Sequence, residues 1–160
     1  MDDQERRERG EAMRRNVLGD SHVDRATATT TPLTAEFQDL ITRHAWGEIW
    51  VRPGLAARDR RLLVIGTLVA LGHWDELAMH VRAAVAEGGL TADEVKEVVL
   101  QQAIYCGLPA ANAAFRVVRA VLESGAAPTP LATETGETAD PPPPLATETG
   151  ETPGPPPPRP

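Results

Sequence analysis

The sequence predicts an all-α domain followed by a disordered, proline-rich tail. Three observations lead there. From residue 1 to about 125, apolar residues recur at helical spacing and no run sustains two-residue alternation. The breaks between these runs carry helix start and stop chemistry, as in Thr91-Ala92-Asp93-Glu94 and Gly107-Leu108-Pro109. Residues 126–160, in contrast, hold 12 of the 15 prolines and little that builds a core. A folded part of about 125 residues buries roughly two-thirds of the surface its unfolded chain exposes, enough for an independent core.

About six helices follow in order. Residues 4–17 read as a charged amphipathic helix ended by Gly19-Asp20, and residues 21–31, SHVDRATATTT, as a Thr-rich loop. Thr34 is a candidate N-cap for a second helix, with Phe37, Leu40, Ile41 and Trp46 as its apolar stripe. Arg52-Pro53-Gly54 breaks the chain. A third helix, about 56–71, is apolar on most sides after a basic first turn, so it is expected to be the central buried one. The fourth begins with HWDELAMH (73–80) and stops at Gly88-Gly89; the fifth starts at the Thr91 capping box and runs to Tyr105-Cys106; the sixth covers about 109–123.

In the tail, PLATETGETADPPPP returns as PLATETGETPGPPPP with a 14-residue period. Its proline runs favour extended polyproline II structure, and the Thr/Glu/Gly stretches have too little apolar area to offset ordering entropy. A ligand for a proline-binding module, or a linker, is the functional alternative.

Charge excludes one class of partner. The net charge is −7, yet before position 126 there are 15 basic against 18 acidic residues. That near balance leaves no electrostatic footprint for nucleic acid. Cys106 is the only cysteine, which rules out an intrachain disulfide or a CxxC redox pair. The N-terminus lacks the apolar core of a signal peptide, and the most apolar run, Leu62–Gly72, spans 11 residues, too few to cross a membrane. A cytoplasmic protein is expected.

HWDELAMH places His73, Glu76 and His80 within an arc of roughly 60° at the edge of a buried stripe. Three readings remain open on spacing alone. The triplet is a solvated edge with local hydrogen bonds, or a metal site, although it matches no established zinc spacing, or a proton-transfer site in which Glu76 orients His80.

WGEIWVRPGL (46–55), ELAMHVRAAV (76–85) and YCGLPAANAAF (105–115), with VLGDSHVDRA (17–26) before them, occur in order and at helical separations. Together they resemble the gamma-carboxymuconolactone decarboxylase family, from Arg14 to about Val121. The resemblance implies an alkylhydroperoxidase D-like helical bundle assembled as a homo-oligomer, typically a hexamer. Peroxidases of that superfamily carry CxxCxxxH; counted back from His80, the two cysteine positions fall on His73 and Glu76, so dithiol peroxide reduction is excluded.

The reaction implied is loss of CO2 from 4-carboxymuconolactone, a small lactone dicarboxylate, to give 3-oxoadipate enol-lactone in protocatechuate degradation. The departing carboxylate's electron pair delocalises onto the lactone carbonyl, so neither metal nor organic cofactor is called for. What the protein supplies is a proton, cations for the carboxylates and a dry pocket. Under this resemblance His80 is the expected proton donor or lactone-polarising group, with Glu76 fixing its tautomer. His73 is expected to line the same pocket, and one or two of Arg52, Arg58 and Arg60 to fork onto carboxylates. Glu48 is a buried acid or an arginine partner. Trp46 is expected to be a packing, interface or pocket residue, and His22, with Arg25, to be part of a pocket lid or a contribution to a neighbouring subunit. A same-fold enzyme acting on another small acid or lactone, or an oxidoreductase that works without the thiol pair, is the alternative.

Overall fold

A computed structural model describes residues 2–87 and 89–125. Among them are seven α-helices and one π-helical segment, with no strand. The repeated tail lies outside the described residues, as does Gly88.

The first helix, α1 (Asp3–Leu18), opens with a capping box: the Glu5 N–H donates to Asp2 Oδ1 (2.8 Å), and Glu5 Oε2 accepts from the Asp2 N–H (3.0 Å). It ends at Gly19, whose φ of +83° lets the chain restart at once as α2 (Asp20–Ala28). This second helix corrects the expected loop over 21–31. The hydroxyls of Thr27, Thr29 and Thr30 donate back to the carbonyls of Val23, Arg25 and Ala26, at 2.9, 3.0 and 2.9 Å, so they cling to the helix rather than compete with it. Arg15 reaches across the turn to Asp20 (3.2 Å) and Asp24 (2.8 Å) and fastens α2 to α1.

The helix expected after Thr34 is α3 (Ala35–Leu40), which passes directly into the π-helical segment Ile41–Ile49. Its wider turn is visible at the end, where the Trp50 N–H donates to the Ala45 carbonyl five residues back (2.9 Å). Thr34 does not cap α3 through its side chain; its hydroxyl accepts from the Thr31 N–H instead (3.0 Å). Nor is the expected stripe buried as a unit. Trp46 and Gly47 are buried, whereas Phe37 is 60% exposed. What selects Gly47 is its crossing with α1: a Cβ on Gly10 would stand 2.8 Å from the Gly47 nitrogen, and one on Gly47 would overlap the Arg6 carbonyl. Only a glycine pair lets the two backbones come this close.

The remaining helices, α4 (Ala57–Leu71), α5 (Trp74–Ala86), α6 (Ala92–Tyr105) and α7 (Leu108–Glu123), pack around one cluster centred on Ile65, Val69, Leu77, Val81, Val95 and Val99. Gly72, at φ +70°, closes α4; the Thr91–Glu94 capping box opens α6; Gly107 and Pro109 set the start of α7. These boundaries agree with the expected ones. The expectation that α4 is buried on most sides does not hold in the chain taken alone. Leu63 is 59% exposed where that face opens onto a groove of about 890 Å³ between α4 and α6, and Leu71, the last residue of α4, is 62% exposed.

A second, smaller cluster joins Val17, Leu18, Trp46 and Ala83, with Met13, Ala45, Trp50 and Met79 around it. Helix α5 serves both: Leu77, Val81 and Ala84 face the four-helix cluster, and Met79 and Ala83 the other.

Candidate active site

His80 stands three residues after Leu77 and three before Ala83, on the flank of α5 between its two packing faces. Most of the ring is withdrawn from water. Burial, then the charge of Arg61, then that of His22, lower its pKa from 6.5 to about 4, against a small upward pull from Glu76. At neutral pH the imidazole is therefore uncharged.

Arg61 explains part of that field. It is only 5% exposed, with Nη1 donating to the Val17 carbonyl (2.7 Å) and Nη2 to the Asn16 carbonyl (3.3 Å). These are orphan acceptors of the last turn of α1, where the helix dipole favours a cation. Burial pushes the Arg61 pKa down and the Glu87 charge opposes it.

His22, in the first turn of α2, is the next member. Burial lowers its pKa, and the charges of Arg14, Arg25 and Arg82 lower it further. Arg14 is 9% exposed; Nη1 donates to Gln38 Oε1 (3.2 Å), and its buried Nε has no partner. The buried Nε of Arg82 likewise has none. The result is a cation-rich region around two neutral imidazoles, with no carboxylate among the described residues bonded to either ring. Such a region favours a bound anion, and an anion in turn restores proton affinity to the rings.

Charge thus couples His80 to His22 and Arg61, and His22 in turn to Arg14, Arg25 and Arg82. Glu76 is exposed and acts on His80 by charge only; no hydrogen bond joins them, so the expected tautomer-fixing contact is not made. His73 is exposed at the N-cap of α5. Of the three expected arginines, none acts on His80. Arg58 pairs with Glu94 across the α4–α6 groove, Arg52 is exposed, and Arg60 donates Nη2 to the Arg52 carbonyl (3.1 Å). Glu48 pairs with His44 (3.1 Å) rather than an arginine, and that bond holds its carboxyl below the ordinary range. Trp46 is buried and stacked on Trp50, with ring centroids 4.9 Å apart, beside Ala83. Among the described residues no three His, Cys, Asp or Glu side chains group as metal ligands would.

Arg14 and Arg61 were not singled out from the sequence, yet each has a signal there. Arg14 shares a helical phase with Gly10, Val17 and Leu18, and Arg61 with Ile65 and Val69, all buried. A charge in the apolar phase of its helix is the mark that was available. Arg82 carries no comparable signal.

Comparison with known proteins adds the following. The model of the carboxymuconolactone decarboxylase family matches residues 35–120. A 4-carboxymuconolactone decarboxylase of Acinetobacter baylyi is 44% identical over 129 residues, which is 80% of this chain and 96% of the relative. A nitrosuccinic acid decarboxylase of Metarhizium robertsii is 41% identical over 110 residues, 69% of this chain and 76% of the relative. A 4-carboxymuconolactone decarboxylase sequence of Pseudomonas putida is 48% identical over 48 residues, 30% of this chain and all of that sequence.

Proposed function

The chain belongs to the carboxymuconolactone decarboxylase family, and from that premise we propose that it is a 4-carboxymuconolactone decarboxylase acting in protocatechuate degradation. The observation that carries the reading is the 44% identity running through 96% of the Acinetobacter baylyi enzyme.

The chemistry fits the residues around His80. The bond between the ring carbon and its carboxylate breaks, CO2 leaves, and the electron pair moves through the ring double bond onto the lactone oxygen. One proton must then be added at the carbon next to that carbonyl. A neutral imidazole is a poor donor, so His80 has to enter as the imidazolium. The dianionic substrate provides the means, since its charge opposes the burial and cations that hold the ring neutral. Arg61 steadies the developing oxyanion, and Glu76 adds a small bias toward protonation. The substrate is its own electron sink, and the reading calls for no cofactor.

The likeness to the nitrosuccinic acid enzyme favours a second reading, decarboxylation of 2-nitrosuccinate, where the nitro group takes the electron pair. Assembly as a homo-oligomer, a hexamer by family resemblance, would cover the apolar residues that a single chain leaves exposed, such as Leu63, Leu71, Ile104 and Leu108. No helix among the described residues is long and apolar enough to cross a membrane, in keeping with a place in the cytoplasm.

Synthetic 4-carboxymuconolactone tests the reading when loss of conjugated absorbance and release of CO2 are followed together. Stoichiometric CO2 and enol-lactone are expected from the wild type, and turnover about 10²- to 10⁴-fold lower from a folded His80→Ala variant. Turnover of 2-nitrosuccinate but not of the lactone would select the second reading.

A further inference from the structure

The groups around His22 carry more positive charge than the protein itself balances. Arg14 is buried, its one described side-chain bond goes to the neutral amide of Gln38, and its acidic neighbour Glu11 acts only through charge. Arg82 has no acidic partner among the described residues. In both, Nε is shut off from water and unbonded. A buried donor left open in this way is costly. Arg6 and Arg60 also have an unbonded Nε, but Arg6 is tied to Asp3 (2.8 Å) and Arg60 to the Arg52 carbonyl, and neither acts on His22 or His80.

The chemistry of the two named substrates identifies what would fill the gap. In 4-carboxymuconolactone one carbon bears the departing carboxylate, a CH2COO⁻ arm and the ring. In 2-nitrosuccinate one carbon bears a carboxylate, a CH2COO⁻ arm and the nitro group. Both are succinates substituted on one carbon by an electron sink. The sinks have no shape in common, and the succinate skeleton is what remains the same.

We propose that Arg14 and Arg82, gathered around His22, seat the retained CH2COO⁻ arm of a 2-substituted succinate, and so place the departing carboxylate and its sink toward His80 and Arg61. The seat selects the succinate unit; His80 and Arg61 act on whatever sink it carries. This rests on the decarboxylase reading above. One consequence separates it from that reading: succinate, which has the arm and no sink, binds without reacting.

The test uses succinate as probe on the full-length chain, with propionate and chloride at matched ionic strength as controls. Expected is saturable binding of succinate by calorimetry, competitive inhibition of lactone turnover, and a rise in the His22 and His80 pKa values by NMR on the wild type. Arg14→Gln and Arg82→Gln should each weaken succinate binding and raise the lactone KM, roughly tenfold to a hundredfold, with a smaller effect on kcat. Arg14→Lys should recover part of the loss. His80→Ala should bind succinate as the wild type does while losing turnover.

The proposal is overturned if succinate binds no better than propionate, if it leaves both histidine titrations unmoved, or if folded Arg14→Gln and Arg82→Gln keep wild-type affinity. Should either variant fail to fold, the wild-type NMR titration decides alone. Arginine-dependent succinate binding without lactone turnover would instead support the seat and refute the decarboxylase reading.

Discussion

Acidification should unfold this protein partly through one ring. The His80 pKa falls from 6.5 to about 4 on folding, so the unfolded chain binds more protons than the folded one between those values. Stability from this group is therefore present above pH 6.5 and is lost as pH falls toward 4. At about 1.36 kcal/mol per pH unit the whole effect approaches roughly 3 kcal/mol, of which about 2 kcal/mol develops between pH 7 and pH 5. His22 contributes in the same direction, so the useful measurement is a difference. Urea unfolding of wild type and His80→Gln, followed by tryptophan fluorescence at pH 7, 6 and 5 and one fixed protein concentration, isolates the ring. The variant should lose about 2 kcal/mol less than the wild type over that range. Parallel pH dependences would refute the reasoning, because they would mean that His80 is as well hydrated in the folded protein as in the unfolded one.

Gly47→Ala should cost at least about 2 kcal/mol, since the added methyl meets backbone of α1 that has no rotamer to change; thermal unfolding reads this directly. Thr91→Ala should cost about 1 kcal/mol through loss of the α6 capping box, and Thr91→Ser much less, by the same measurement. Leu63→Glu, on the exposed face of α4, should shift sedimentation velocity toward smaller species while helical circular dichroism stays unchanged.

The helices α4 to α7 were legible because their boundaries are chemical. Thr91, Gly72 and the Gly107–Pro109 pair act through local hydrogen bonds and dihedral limits, which a sequence displays. Helix α2 was hidden because its threonines form carbonyl bonds that also occur in turns, and because its tie to α1 depends on where Arg15 points. His80 and His22 were named for chemistry their residue types allow. Which arginine acts on His80 is hidden for a geometric reason: Arg58, Arg60 and Arg61 are near neighbours in sequence, yet a rotation of about 100° per residue sends each to a different environment. Only burial phase, shared with Ile65 and Val69, distinguishes Arg61.

Arg61 also links two properties that are usually separate. Its head is held by the final carbonyls of α1 while its charge bears on the His80 imidazole. Were α1 to peel away, the guanidinium would swing into water and the imidazole would take up protons more readily, before any reacting group had been altered. The alkaline limb of the activity profile, where the donor imidazolium is lost, is thus a gauge of whether the amino-terminal helix is docked, and a truncation there should be visible first as a shifted titration.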